Sequence, residues 1–281
     1  MTRRYLRGTS LDGTGRAGLL AITLLTIAAL IAVLAPWLAP GDPLAMLAPP
    51  LVPPFSDPSL PLGSDQLGRD LMHELIHGAR ISLAIGATAA LSALLLGIII
   101  GTLAGFLGGW CDDVLMRITE AFQTIPSFLL TLALVSLIGP SMSSIIGAIA
   151  ISSWPAAARL TRGEILSLRQ RDFVAGCRLL GMHPLRIAFT QVLPNAVAPV
   201  IALIGILMAS AILIESALAF LGLGDPNRIS WGVMVANGRA LLRTAPFTII
   251  IPGSAIAVTV LCVTLVGDWL AARLNRVRGP T

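Results

Sequence analysis

Residues 81–107 read Ile81-Ser82-Leu83-Ala84-Ile85-Gly86-Ala87-Thr88-Ala89-Ala90-Leu91-Ser92-Ala93-Leu94-Leu95-Leu96-Gly97-Ile98-Ile99-Ile100-Gly101-Thr102-Leu103-Ala104-Gly105-Phe106-Leu107, without one charged side chain. A helix crosses the hydrocarbon core with about 20 mostly apolar residues, so this stretch is expected to span a membrane. Five further stretches read the same way. They are Ala17–Ala35, Val114–Ile138 (which carries Pro126), Ser144–Ala158 (interrupted by Pro155), Ala196–Leu221 and Phe247–Ala272. The whole composition agrees, with 56% hydrophobic residues, 12% charged residues and a mean hydropathy of +0.87. Soluble chains carry about 25% charged residues, and disordered ones lack this much apolar surface. The expectation is an all-α integral membrane protein with six transmembrane helices.

The basic balance then has a topological explanation. The net charge is +5, and all 19 basic residues are arginine. With six spans, one side of the membrane holds Arg3, Arg4, Arg7, Arg16, Arg117, Arg159, Arg162, Arg169, Arg171, Arg178, Arg186, Arg273, Arg276 and Arg278. The other side keeps Arg69, Arg80, Arg228, Arg239 and Arg243. Arginine-rich loops stay in the cytoplasm, so both termini are placed inside, and no nucleic-acid partner is needed to explain the charge. The first span is read as a retained anchor, because its apolar run exceeds a signal-peptide core and no small-residue cleavage site follows. The chain divides into a cytoplasmic N-terminus (1–16), the anchor (17–35), a Pro-rich external loop (36–78), a permeating core (79–272) and a cytoplasmic tail (273–281). Cys111, Cys177 and Cys262 are odd in number and far apart, which argues against a disulfide framework or a structural zinc site.

Several side chains invite chemistry. His73-Glu74-Leu75-Ile76-His77 is a literal HExxH, whose i and i+4 histidines can grip zinc from one helix face with the glutamate as base. A membrane zinc metalloprotease is therefore the competing function. It lacks a third ligand, because the remaining histidine, His183, falls on the opposite side of the membrane in this topology. No metal site is expected. Intramembrane charges are costly and by default functional. Glu120, Glu215 and Asp268 are read here as structural glue between helices, with a place on a transport pathway as the alternative. Glu120 lies three residues from Arg117, a spacing that allows an ion pair. Gly86, Gly97, Gly101, Gly105, Gly108 and Gly109 suit close helix packing. No P-loop or catalytic triad is present, so the chain is read as no enzyme and as holding no cofactor.

The cytosolic loop between the fourth and fifth spans is the most informative segment. Asp172 is a good N-cap, Gly181 can end a helix in the left-handed conformation, and Pro184 follows as a stop. Between them Phe173, Cys177 and Leu180 fall at i, i+4 and i+7 on one apolar stripe, flanked by Arg169, Arg171 and Arg178. Such a helix either docks on a partner or folds back onto its own spans or the lipid surface.

The stretch Asp172–Asn195, with Gly181 followed thirteen positions on by Pro194 in Val192-Leu193-Pro194-Asn195, resembles the "EAA" loop of ABC importer permeases. The branch it resembles is the dipeptide/oligopeptide/nickel one, in its second-subunit form. Leu62–Asp70 running on to Gly78–Leu83, Ala158–Glu164, Glu215–Gly224 and Ser230-Trp231-Gly232 are similar to other parts of the same family, over roughly 62–273. The resemblance implies a type I importer architecture in the bacterial cytoplasmic membrane, with translocation of peptides, or alternatively nickel, glutathione or another small ligand. It implies a second homologous permease subunit, two ATP-binding cassette subunits that bind ATP and Mg, and an extracytoplasmic substrate-binding protein. Within the loop 159–195 it makes Asp172, Phe173, Val174, Ala175, Gly176, Cys177, Arg178, Leu180 and Gly181 the ATPase-docking helix, with Pro184, Pro194 and Asn195 shaping the loop. The Glu-Ala-Ala positions read Ala175-Gly176-Cys177, a departure that removes a charged contact.

The arginine asymmetry yields the first expected outcome. In intact cells Cys111 and Cys177 react with membrane-permeant maleimides and not with impermeant ones; labelling of Cys177 from outside would reverse the orientation.

Overall fold

The computed structural model describes the backbone of residues 9–277 and the side chains of residues 17–274. The ends of the predicted N-terminal segment and tail, 1–8 and 278–281, lie outside the described residues. Among the described residues every regular element is a helix, apart from a lone bridge between Ser64 and Asp70. The α-helices are α1 (Thr9–Leu38), α2 (Leu71–Leu107), α3 (Gly109–Thr124), α4 (Ser127–Ile138), α5 (Met142–Leu168), α6 (Asp172–Leu179), α7 (Pro184–Ile187), α8 (Leu193–Ala202), α9 (Ile204–Phe220), α10 (Trp231–Gly238) and α11 (Phe247–Val277). Ala17–Leu38, Leu71–Leu107, Pro184–Ala202 and Phe247–Leu274 are each long and apolar enough to cross a bilayer, and α3 with α4 qualifies as a bent pair.

Four of the sequence boundaries need correction. The third span does not run straight, because α3 and α4 meet at 85°. Ile125 is extended (φ −95°, ψ 127°), as the ring of a following proline demands, and Pro126 starts the new helix. The fourth span is not interrupted at Pro155, since α5 continues through it to Leu168; prolines are tolerated in membrane helices whose neighbours re-satisfy the backbone. The fifth span begins earlier, at Leu193, and is divided at Leu203 into α8 and α9. The external loop is shorter than 36–78, because α1 passes through Pro36 to Leu38 and α2 already starts at Leu71, where the Asp70 carboxylate accepts the Met72 N–H at 2.8 Å.

What lies between α1 and α2 is irregular but built. Ser64 donates its hydroxyl to the Pro49 carbonyl at 2.6 Å and accepts the Val52 N–H at 2.9 Å. Asp65 accepts the N–H groups of Leu67 and Arg69, both at 2.8 Å. Prolines remove donors from this stretch, and side chains take over the bonding.

Helix α2 packs most closely on α5. Gly97, Gly101 and Gly105 recur every fourth residue and therefore share one face of α2. A Cβ on Gly101 would meet the Ala158 carbonyl oxygen and stand 2.7 Å from the Thr161 Cβ; one on Gly97 would meet the Ala157 Cβ. At Gly105 the intruding atom would be 3.0 Å from the Arg162 carbonyl oxygen. Small residues permit this approach where no hydrophobic drive separates helix from lipid. A similar contact joins α9 to α11, where a Cβ on Gly205 would lie 2.8 Å from the Gly267 Cα.

Gly101→Ala is expected to cost about 1–3 kcal/mol through overpacking, read as a lower unfolding midpoint in detergent. Gly163→Ala, on α5 where a Cβ meets nothing within 4 Å, is expected to be neutral or to gain up to about 1 kcal/mol from helix propensity. Equal midpoints for the two variants would refute the close α2–α5 contact.

Candidate functional site

Beyond Leu168 the chain turns and enters α6. Its N-cap is Arg171, extended at φ −77° and ψ 153°, and not Asp172 as the sequence suggests. Asp172 is the first helical residue, where a negative charge is favourable at the positive end of the helix dipole. The C-terminus closes as expected. Gly181 takes φ +71°, its N–H donates to the Arg178 carbonyl at 3.0 Å, and the Met182 N–H donates to the Cys177 carbonyl at 3.2 Å. These two bonds are a Schellman motif, which satisfies carbonyls left over at a helix end.

The helix is anchored on one side and open on the other. Val174 is fully buried, and with Cys177 and Met182 it packs among Phe106 of α2, Ile165 of α5, and Ile187, Val192 and Ala196 beyond the loop. The guanidinium of Arg178 lies 5.9 Å from the Phe106 ring centroid, within cation–π range. The stripe read from the sequence is thus divided. Cys177 belongs to the anchored side, whereas Phe173 is 40% exposed, Leu180 83% and Leu179 90%. Leu179 was not legible as a docking residue, because it falls off the i, i+4, i+7 pattern; two adjacent leucines at the end of a helix were the available signal. Ala175 is exposed, and a Cβ on Gly176 meets nothing within 4 Å.

After Pro184 opens α7, Ala188–Val192 form a turn of π-helix in which the Leu193 N–H donates to the Ala188 carbonyl. Pro194 sits at the start of α8 without an N–H to continue the α pattern. The Asn195 amide donates to the Gln191 carbonyl at 2.7 Å, and the Thr190 hydroxyl to the Arg186 carbonyl at 2.6 Å. π-turns of this kind recur at functional sites.

Arginines of α5 brace the same region. Arg162 grips Asp112 through two bonds of 2.6 and 2.7 Å, Arg159 donates to Gln123 at 2.8 Å, and Arg169 donates to the Gly105 carbonyl at 2.9 Å. The Arg117–Glu120 pair does not form: among the described residues no ion pair joins them, and both line an open cavity of about 890 Å³ beside Arg159 and Arg162. Asp268 is exposed on α11.

At the other end of the molecule the HExxH side chains face separate partners. Glu74 is 2% exposed and lies 3.6 Å from Arg69, His77 Nε2 is 2.9 Å from the Ala39 carbonyl, and His73 is 4.0 Å from Asp70. They fasten the external loop to α2. Among the described residues no three His, Cys, Asp or Glu side chains gather as a metal-binding group. Glu215 is likewise tied: the Ser230 hydroxyl donates to it at 2.6 Å. Ser230 caps α10, and Trp231 donates its N–H to Ser82 at 3.1 Å and its indole N–H to the Leu75 carbonyl at 3.0 Å. Three segments distant in sequence, around 78–83, 215–224 and 230–232, are one packed unit.

Comparison with known proteins bears on this arrangement. Residues 97–278 match the family model described as binding-protein-dependent transport system inner membrane component. The chain is 40% identical over 264 residues to the di/tripeptide transport system permease protein DppC of Pseudomonas aeruginosa, covering 92% of this chain and 86% of that one. It is 44% identical over 247 residues to a probable peptide ABC transporter permease protein of Sinorhizobium fredii, covering 86% and 82%. It is also 35% identical over 215 residues to the glutathione transport system permease protein GsiD of Pectobacterium atrosepticum, covering 76% and 71%. Among solved structures, an inward-facing conformation of the MetNI methionine ABC transporter superposes with a TM-score of 0.56 at 15% identity, covering 73% of this chain and 97% of that one. That likeness shows a type I permease fold.

The separate tethering of the HExxH side chains predicts that the purified protein carries no stoichiometric zinc, by elemental analysis, and that His73→Ala with His77→Ala leaves transport within about twofold of wild type, an effect below 0.5 kcal/mol by the usual conversion. One zinc per chain, lost in the double variant, would restore the metalloprotease assignment.

Proposed function

The chain belongs to the family of inner membrane components of binding-protein-dependent transport systems, and from that premise we propose that it is the transmembrane permease subunit of an ATP-driven importer of peptides. The peptide permeases among its relatives support the substrate class, and a glutathione permease fits it too, glutathione being itself a tripeptide. In this reading the chain crosses the bacterial cytoplasmic membrane six times, by α1, α2, the bent α3–α4, α5, α8–α9 and α11, with both ends in the cytosol. It pairs with a second homologous permease subunit, receives peptide from an external binding protein, and draws work from two ATP-binding cassette subunits that hold ATP and Mg. Hydrolysis belongs to those partners.

The observation that carries the mechanism is the two-sided α6. Its outer face offers Phe173, Leu179 and Leu180 to a partner. Its inner face is locked by Val174 into a cluster shared by α2, α5 and the π-turn before α8. A push on the outer face therefore reaches three spans at once, since packed interiors transmit displacement. The missing glutamate of the EAA pattern falls at exposed Ala175, so its loss withdraws a surface charge and leaves the anchored side whole. The Schellman end keeps Leu179 and Leu180 projecting where the helix stops.

The test is co-purification with the ATPase subunits and peptide-stimulated ATP hydrolysis in reconstituted complexes. Phe173→Asp removes apolar contact worth up to about 1.5–3 kcal/mol on full burial and brings an unpaired charge into it; association and stimulation are expected to drop at least tenfold. Gly181→Val has room for its side chain but must hold φ near +71°, which a β-branched residue resists, so a partial loss is expected. Normal assembly and stimulation in Phe173→Asp would sink the docking assignment.

A further inference from the structure

Two kinds of surface run along the spans. On α1 the exposed residues are Leu20, Leu24, Ile27, Leu30 and Val33, side chains suited to hydrocarbon. At the α3–α4 elbow the surface changes. A groove of about 460 Å³ opens between the elbow, α5 and α9, and its walls include Gln123, Ser127, Ser153, Ser210 and Arg159. Hydrocarbon offers such groups no hydrogen bonds, and irregular backbone at membrane depth is tolerated where it lines a water-filled cavity or is buried in protein. The elbow supplies such backbone: α4 starts behind Pro126 with no side-chain cap. This face is therefore built for water and not for lipid.

Arg159 stands where the groove ends. It also lines the open cavity of about 890 Å³ between α3 and α5, so it is common to both spaces. The neighbouring Arg162 is neutralised by Asp112 at 2.6 Å, but the one hydrogen bond of Arg159 among the described residues goes to neutral Gln123. Its charge is unpaired, and most of its planar set of donors is unused. A guanidinium in that state matches a carboxylate with two parallel bonds.

We propose that the groove at the α3–α4 elbow is the water-lined passage of the substrate through this subunit, and that Arg159 at its lower end receives the carboxylate of the passing ligand. The assignment rests on the importer reading and adds to it the path and the chemical group recognised. Thr131 and Ser152, hydrogen-bonded at 2.8 Å behind the groove, hold α4 on α5 and keep the elbow in place.

The experiment uses the complete complex in proteoliposomes, with alanyl-alanine as the probe. Ser153→Cys and Ser210→Cys are expected to react with a charged, membrane-impermeant thiol reagent above the background of the parent cysteines, in at least one nucleotide state. Leu24→Cys, on the lipid side, is expected to stay at background. Arg159→Gln is expected to lower dipeptide uptake about tenfold, as for a lost charge-assisted hydrogen bond, while ATP hydrolysis stimulated by the loaded binding protein stays within about twofold, so that ATP spent per peptide rises. Arg159→Lys recovers part of the uptake. Unreactive Ser153→Cys and Ser210→Cys in every nucleotide state would overturn the passage. Wild-type uptake in Arg159→Gln, or uptake and hydrolysis falling together, would overturn the role of Arg159. A wild-type complex that carries no peptide at all would instead remove the substrate class, while the thiol reactions still decide the groove.

Discussion

The absence of a side chain at Gly97, Gly101 and Gly105 is the constraint on which the rest depends. It lets α2 lie on α5 at backbone contact, with Ala157, Ala158 and Thr161 against it. Because α5 is held at that distance, Arg162 reaches Asp112 and Arg169 reaches the Gly105 carbonyl. Phe106, at the end of the same glycine face, becomes the floor on which Val174 and Arg178 settle. A larger residue in the stripe would move α5 outward and with it every contact that seats α6.

The arginines show how one residue type answers two demands. In the sequence their asymmetry reports which side of the membrane a loop faces. In the fold several of them are also joints: Arg159, Arg162 and Arg169 tie α5 to α3 and to the end of α2. The guanidinium suits this because it stays charged and offers several donors in a fixed plane. A lysine would satisfy the topological rule equally well and would not make the two-bond grip on Asp112.

Polar side chains in the spans also divide by place. Glu215 accepts from Ser230 inside a unit that joins α2, α9 and α10, which is the structural role expected of it. Glu120 and Asp268 are exposed, so neither binds helices together within this chain. The serines of the elbow groove are modest in sequence and conspicuous in space, because they line a face where the rest of the span surface is apolar.

Helical class, the positions of the apolar runs and the closure of α6 at Gly181 were legible from the sequence, because each depends on local chemistry: side-chain apolarity, helix period, and a backbone angle that favours glycine. The family likeness was legible for the same reason, as segments of fixed composition. Other features were decided by tertiary structure alone. Pro126 breaks a helix while Pro155 does not, since the outcome turns on what neighbouring helices offer the freed backbone. Val174 and Cys177 face inward and Leu179 outward because Phe106 and Ile165, many residues away, define what inward means. The HExxH side chains part to different partners for an equally non-local reason: Ala39, Arg69 and Asp70 compete for them only once the loop has folded back on α2.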